Sequence, residues 1–186
     1  MFASCRAAVT AFDQLLFDAA THNRIFEHTV TLVTHLGRMP VLGTLAVAAA
    51  SIMSWRRRSV TPVCLIGLAC GAASGTSHAI KNIVQRPRPD LVFAVPPYET
   101  TWSFPSGHSM NAVLVAGVLA LLVRKPWAYC LAGAFALVIG ATRVYLGHHW
   151  PTDVLAGWAL GIAYLPLFGW LIAKNFPILP RRKTRN

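Results

Sequence analysis

Residues 104–123 read FPSGHSMNAVLVAGVLALLV, a stretch with no Asp, Glu, Lys or Arg. A run this long and this apolar is typical of a helix that crosses a bilayer, because the hydrocarbon core requires about 20 such residues. The run opens on Pro105, Ser106, Gly107 and His108, which form a polar turn at one end of the predicted helix. The stretch therefore predicts a membrane helix with reactive groups at its first turn.

Other apolar segments have similar lengths. Of the 186 residues, 55% are hydrophobic and only 12% are charged, which is the profile of a multi-span membrane protein. The predicted fold class is an all-α integral membrane helical bundle with five or six transmembrane helices, forming a single domain over 1–186. The predicted membrane helices cover 41–55, extending back toward His28, and 61–84, 105–123, 127–145 and 152–173.

The N-terminal stretch 1–37 has two interpretations. Residues 7–20 are apolar but interrupted by Asp13 and Asp18, a pattern typical of an interfacial amphipathic helix. The same stretch continued through 27–35 would form a polar first span and raise the count of spans to six. Both interpretations leave the N-terminus uncleaved, because the two carboxylates interrupt the apolar core that a signal peptide needs.

The charge of the chain is lopsided, with 17 Lys and Arg against 6 Asp and Glu. The basic residues fall in short groups at 56–58, 124–125 and 181–185, which a serial threading of the helices places on one side of the membrane. The positive-inside rule assigns that side to the cytoplasm. Nucleic-acid binding is not expected, because there is no basic helix face or pattern of stacking aromatics.

The polar motifs would then lie on the opposite side of the membrane. In a bacterium this predicts an inner-membrane protein whose site faces the periplasm. In an internal eukaryotic membrane the same site would face the lumen.

The first polar cluster comes at the end of the second apolar segment, where Lys81 is followed by Arg88 and Pro89. A charge this close to hydrocarbon is costly unless it is paired, hydrated or bound to a ligand, so these cations are candidates for an anion site. Alternatively they are interfacial anchors whose heads reach the headgroups. The prolines favour the first interpretation, because they stiffen the helix exit and direct Arg88 back over it.

The second cluster is the turn that opens residues 105–123. Pro105 is predicted at the first helical position, and the unpaired amides of a helix start form an anion site. Gly107 would let a ligand approach the backbone, Ser106 would add a hydroxyl donor, and His108 would face the same anion. The alternative is an ordinary helix start with an interfacial histidine.

The third cluster joins two predicted helices. Pro151 is expected to start the last helix, with Asp153 in its first turn, where the helix dipole stabilises a carboxylate. A carboxylate bonded to one ring nitrogen of His149 would leave the other nitrogen as a nucleophile. Arg143 supplies a forked donor for phosphate oxygens, and the adjacent His148 is expected to point elsewhere.

These clusters, in this order and with these spacings, resemble the three signature motifs of the type 2 phosphatidic acid phosphatase superfamily. The resemblance covers about 80–157. This superfamily includes bacterial phosphatidylglycerophosphate and undecaprenyl-diphosphate phosphatases. The chain departs from the motifs at Thr142, where a serine is common, and the change keeps the hydroxyl.

The resemblance implies a catalytic role for three residues. His149 would attack phosphorus to give a phosphohistidine, Asp153 would orient and stabilise it, and His108 would protonate the leaving group and then activate water. The residues implied to bind phosphate oxygens are Lys81, Arg88, Ser106, Gly107 and Arg143.

Metal ligation is a competing use of His108, His149 and Asp153. We expect no metal and no cofactor, because a site that already holds three cations would repel a divalent ion.

The predicted function is metal-independent hydrolysis of a lipid phosphate or diphosphate, of the undecaprenyl diphosphate or phosphatidylglycerophosphate type. Its partners would be the lipid substrate and the bilayer. One alternative is a lipid phosphotransferase on the same scaffold, which passes the phosphoryl group to an acceptor other than water. The other is a non-catalytic protein that binds or transports lipid.

Overall fold

The computed structural model describes residues 2–175, with side chains from residue 7 onward. This part of the chain contains no strand, which confirms the predicted all-α class. A short 3-10 turn, Leu91–Phe93, lies in the longest connection. The helices are α1 Phe2–Thr21, α2 Glu27–His35, α3 Met39–Arg57, α4 Thr61–Val84, α5 Gly107–Val123, α6 Pro126–Tyr145 and α7 Pro151–Asn175.

Helices α3 to α7 correspond to the five predicted membrane segments. Among the described residues, α3, α4, α6 and α7 are long and apolar enough to span a bilayer, and α5 is an apolar helix of 17 residues. Helix α5 is apolar on all sides, which is typical of a helix surrounded by others. It packs against α3, α4, α6 and α7. Met110, Leu114, Val118 and Leu122 along its length are fully buried.

The N-terminal stretch forms two helices rather than one. Helix α1 ends at Thr21 and α2 has nine residues, about 14 Å at 1.5 Å per residue, which is too short to cross a bilayer. Residues 7–35 are therefore not one continuous helix, and the polar first span stays a prediction. Helix α1 lies against the rest of the molecule through Phe17, whose buried ring contacts the rings of Phe93 and Trp150. Its position as an interfacial helix stays a prediction.

The start of α5 corrects the assignment of Pro105. The helix begins at Gly107, and Ser106 is its N-cap, with extended backbone (φ −70°, ψ 110°) and a side-chain oxygen that accepts from the Ser109 amide at 3.5 Å. Serine is among the preferred N-cap residues because its side chain accepts a bond from an otherwise unpaired amide. Pro105 therefore precedes the cap and does not occupy the first helical position.

The serial threading brings the three polar clusters to one end of the bundle. Lys81 lies in the last turn of α4, Arg143 in the last turn of α6, and α5 and α7 both begin at this end. At the opposite end, Arg57 donates to the Leu122 carbonyl at 2.8 Å and ties α3 to α5. The basic groups at 56–58 and 124–125 therefore lie opposite the clusters. The group at 181–185 lies outside the described residues.

Candidate active site

His149 and Asp153 form a buried pair at the start of α7. Asp153 is fully buried in the first turn of the helix, and its Oδ2 lies 3.4 Å from His149 Nδ1. The same oxygen accepts the backbone amide of Trp150 at 2.9 Å, as expected for a carboxylate at a helix N-terminus. The predicted contact between the carboxylate and one ring nitrogen is present.

The second ring nitrogen of His149 faces a cation. Arg88 Nη1 lies 3.2 Å from His149 Nε2, which accepts its hydrogen bond. Burial lowers the pKa of His149 well below its ordinary value, and the charges of Arg88 and Arg143 lower the pKa further. The ring is therefore neutral at physiological pH, with its proton on the nitrogen that faces Asp153 and a lone pair on Nε2. This is the protonation state that a nucleophile requires.

His148 has different surroundings, although it is the neighbour of His149 in the chain. Its Nε2 lies 2.7 Å from the Val95 carbonyl, in the connection between α4 and α5. Burial and the charge of Arg143 lower its pKa to about 4, although the bond to Val95 acts in the opposite direction. The ring is thus directed toward the loop, in agreement with the prediction that it points elsewhere.

Lys81 and Arg88 are held by backbone carbonyls. Lys81 Nζ donates to the carbonyls of Trp102 and, at 3.4 Å, of Ser103. Arg88 donates to the carbonyls of Thr101 and His148, each at 2.6 Å. Since carbonyls carry no net charge, these contacts orient the two cations without neutralising them. Their charge is available to an anion.

Arg143 is almost completely buried and has a different set of partners. Its Nη1 donates to Thr34 at 3.1 Å, and its Nη2 donates to Glu99 at 2.9 Å. Burial raises the pKa of Glu99, but Arg143 and Arg88 outweigh that effect and hold the pKa below its ordinary value. Glu99 is therefore a carboxylate. Nε of Arg143 has no hydrogen-bond partner among the described residues.

The start of α5 lies directly against the start of α7. The Ser106 amide donates to the Asp153 carbonyl at 3.0 Å, which joins the second and third clusters. The His108 ring packs against Gly37, where an added Cβ would lie 3.2 Å from His108 Cδ2. Within the described residues, His108 Nε2 is buried and has no partner. A donor or acceptor without a protein partner is expected where a ligand binds.

Three residues that the sequence did not identify support this pair. Ser103 is fully buried, donates to Asp153 Oδ2 and lies 3.4 Å from His149 Nδ1. Arg86 donates to Asp153 Oδ1 at 2.7 Å and to Asp13 on α1 at 2.6 Å. Two of these residues had a signal in the sequence: Arg86 lies two residues before Arg88, and Asp13 interrupts the first apolar stretch. Nothing in the sequence around Ser103 indicated a contact with Asp153.

The predicted phosphate-binding residues thus lie at one end of the bundle, and Arg88 among them contacts the His149 ring. In the part of the chain that is described, no group of three or more His, Cys, Asp or Glu is placed to hold a metal ion. The arrangement combines a neutral histidine, a supporting carboxylate, a second histidine and three cations. Such a set can bind a phosphoryl group and attack its phosphorus.

The relatives found by comparison with known proteins are phosphatases. Residues 62–177 match the PAP2 superfamily, and this range includes all three clusters. The chain is 35% identical to phosphatidylglycerophosphatase B of Bacillus subtilis, over 83% of this chain and 80% of that protein. It is 29% identical to undecaprenyl-diphosphatase of Sulfolobus acidocaldarius, over 81% of this chain and 73% of that protein.

The fold is similar to a crystal structure of a transmembrane PAP2-type phosphatidylglycerolphosphate phosphatase from Bacillus subtilis. The TM-score is 0.84 at 34% identity, and the match covers 92% of this chain and 90% of that chain. The family match begins at residue 62, in α4. The structural match covers more of the chain than the family match does.

Proposed function

The chain belongs to the PAP2 superfamily, and on this premise we propose that it is an integral membrane phosphatase that hydrolyses a lipid phosphate or diphosphate. The observation that carries the proposal is the His149 ring, which has Asp153 at one nitrogen and Arg88 at the other. This arrangement provides a neutral nucleophile next to a charge that attracts phosphate.

The first chemical step is attack by His149 Nε2 on phosphorus. A bond forms between nitrogen and phosphorus as the bond from phosphorus to the leaving oxygen breaks. His108 enters the step protonated, as an imidazolium paired with the negative charge of the bound phosphate. It donates that proton to the leaving oxygen, which departs as an alcohol or as a phosphate. The imidazole gains positive charge in this step, and Asp153 stabilises it from the other side of the ring.

Water then completes the reaction. His108, now neutral, accepts a proton from the water as its oxygen bonds to phosphorus, and the bond from phosphorus to His149 breaks. Phosphate is released and both histidines return to their starting state. His108 gives one proton to the leaving oxygen in the first step and takes one from water in the second, so the protons balance over the cycle.

The cations bind the phosphoryl oxygens. Phosphoryl transfer depends chiefly on positioning and on neutralising these oxygens. Lys81 and Arg88 supply two positive charges that no bonded carboxylate of the described residues offsets, and Arg143 adds a guanidinium donor although it is paired with Glu99. Amides at the start of α5, at Gly107, add further donors. We expect no role for a metal ion, because the unpaired charges of Lys81 and Arg88 would repel a divalent ion.

The position of the site favours an amphiphilic substrate. It lies at one end of the apolar helices, and the connection beside it exposes Leu91, Val92 and Trp102. A lipid tail can remain in the bilayer while the phosphate enters the site. The two relatives act, by their names, on phosphatidylglycerophosphate and undecaprenyl diphosphate, and we propose substrates of these two types.

The basic groups at the opposite end support a location of the site outside the cytoplasm. In a bacterium the protein would lie in the inner membrane with the site facing the periplasm.

The test is to measure phosphate release by one purified sample from undecaprenyl diphosphate, phosphatidylglycerophosphate, phosphatidic acid and glucose 6-phosphate. Burial of each tail methylene contributes at most about 0.8 kcal/mol, so kcat/KM should be at least about tenfold higher for the preferred lipid than for the sugar phosphate. Activity should survive excess chelator, and vanadate should inhibit it. A preference for the sugar phosphate would refute the lipid assignment, and chelator-sensitive activity restored by a divalent ion would refute the metal-free mechanism.

A further inference from the structure

An ion-pair network connects helix α1 to the buried carboxylate of the site. Asp13 of α1 is only 1% exposed, and its Oδ2 accepts Arg86 Nη2 at 2.6 Å. The other nitrogen of the same guanidinium, Nη1, donates to Asp153 Oδ1 at 2.7 Å. Arg86 therefore lies between two buried carboxylates, one from the N-terminal helix and one from the site.

Asp13 also holds the first turn of α7 directly. The Thr152 amide donates to Asp13 Oδ1 at 2.8 Å, and the Thr152 hydroxyl donates to Asp13 Oδ2 at 2.7 Å. Thr152 is adjacent to Asp153 in the chain. The carboxylate of α1 is thus fully hydrogen-bonded and occupies a specific site, which a solvated residue of an amphipathic helix would not do.

The charges in this network determine how much negative charge Asp153 presents to His149. Arg86 by itself would neutralise Asp153, because it is bonded directly to one of the carboxylate oxygens. Asp13 offsets the charge of Arg86, so that the three groups together carry a single negative charge. In a buried region the effective dielectric constant is low, and this offset acts strongly on the nearby imidazole.

We propose that Asp13 and Arg86 are positioning residues for the His149 and Asp153 pair. Arg86 orients the carboxylate, and Asp13 preserves the negative charge that stabilises the imidazole as it becomes positive. The N-terminal helix, which precedes the residues that match the family, is thereby part of the catalytic apparatus. This inference rests on the proposed function.

Neither residue belongs to the predicted set of phosphate-binding groups. The substrate phosphate is bound by Lys81, Arg88 and Arg143, whereas Asp13 and Arg86 act through Asp153. Loss of either should therefore lower kcat and leave KM nearly unchanged. Loss of a residue that only anchors α1 would instead reduce the folded fraction, without a specific effect on kcat of the folded protein.

The first variant is Asp13→Asn, which has nearly the same shape and can still accept from the Thr152 amide. It has no charge, and its NH2 group replaces the oxygen that accepts from Arg86 and the Thr152 hydroxyl. We expect kcat to fall by about tenfold or more, with KM within about twofold of the parent. The matched control is Asp18→Asn, the same substitution at an exposed position of the same helix, which should leave both constants unchanged. Thermal unfolding and size-exclusion profiles in detergent give the folded fraction of each variant.

The second test restores the net negative charge of the network formed by Asp13, Arg86 and Asp153. Arg86→Gln alone leaves Asp13 and Asp153 as neighbouring carboxylates without the cation between them, and kcat should fall. The double variant, Asp13→Asn with Arg86→Gln, again has a single negative charge. We expect it to be more active than either single variant, a result that loss of two structural contacts would not produce.

The outcomes separate this inference from the proposed function. Activity of Asp13→Asn equal to that of Asp18→Asn, a loss confined to KM, or a double variant no more active than the single variants would overturn the inference. Should Asp13→Asn fail to fold, the comparison of the double variant with Arg86→Gln decides the question. His149→Ala is assayed in parallel, and its continued turnover would refute the underlying mechanism rather than this inference.

Discussion

His148 and His149 are neighbours in the chain, but their rings have different surroundings. His149 faces Asp153 and Arg88, whereas His148 faces the Val95 carbonyl. We predict that His149→Ala lowers kcat by at least about three orders of magnitude, because removal of a nucleophile has effects of this size. His148→Ala should keep activity within about tenfold of the parent and lower stability by about 1 kcal/mol through loss of one hydrogen bond. Phosphate release and thermal unfolding measure the two effects.

Equal losses of activity in both variants, at equal folded fractions, would contradict the choice of His149 as the nucleophile.

Ser103 offers a second test at the scale of single residues. Its hydroxyl donates to Asp153 and lies beside His149, so Ser103→Ala removes a bond to the charged carboxylate without creating a large cavity. We expect kcat to fall by about tenfold or more, because hydrogen bonds to charged groups contribute about 1.5 to 3 kcal/mol. The control is Ser51→Ala, at an exposed position of α3 where the hydroxyl bonds only within its helix. If both variants kept full activity, Ser103 would have no role in orienting Asp153.

Much of the site could be predicted at this scale, because each cluster is local in sequence. His149 lies just before the start of α7 and Asp153 lies in its first turn, so the first turn of the helix is enough to bring the two side chains together. The partners contributed by distant segments could not be predicted in this way. Asp13 is 140 positions from Asp153 in the chain, and Thr34 approaches Arg143 only through the packing of α2 against α6.

At the scale of helices, α7 approaches α5 closely enough to exclude a side chain at Gly157. A Cβ there would lie 2.6 Å from the Ser106 carbonyl oxygen and 3.2 Å from the Met110 amide nitrogen. We predict that Gly157→Ala destabilises the protein by about 1 to 3 kcal/mol, because backbone atoms must move. It should also lower activity, since the start of α5 would shift relative to α7.

The matched control for that variant is Gly169→Ala in the same helix, where an added Cβ would have no neighbour within 4 Å. Its stability should change by less than about 1 kcal/mol, with activity unchanged. Thermal unfolding in detergent measures the difference. A Gly157→Ala protein as stable and active as Gly169→Ala would show that the two helices are not in close contact.

The boundaries of the helices were predictable where the pattern was strong. Five apolar segments predicted α3 to α7, because long apolar runs in lipid have few other ways to pair their backbone groups. Pro105 was misplaced because both a proline at the first helical position and a serine cap are common at helix starts, and here the serine is the cap. The division between α1 and α2 lacked a clear breaker, because residues 22–26 contain neither glycine nor proline.

At the scale of the whole molecule, we predict the orientation in the membrane from the basic groups at the end opposite the site. Val92, in the connection beside the site, and Val60, before α4 at the other end, are both exposed. We predict that a cysteine introduced at Val92, in a background without the four native cysteines, reacts with an impermeant thiol reagent added outside cells. A cysteine at Val60 should react only after the membrane is made permeable. The opposite labelling would place the site in the cytoplasm.

The central claim is that His149 carries the phosphoryl group during turnover. The direct measurement is rapid mixing of the purified protein with phosphatidylglycerophosphate labelled in its terminal phosphate, an alkaline detergent quench, and identification of the labelled peptide. We predict a phosphoryl group that is stable to alkali and labile to acid, on the peptide that contains His149, and no label in His149→Ala. Turnover without a labelled protein at any quench time, or an acid-stable label on another residue, would contradict it.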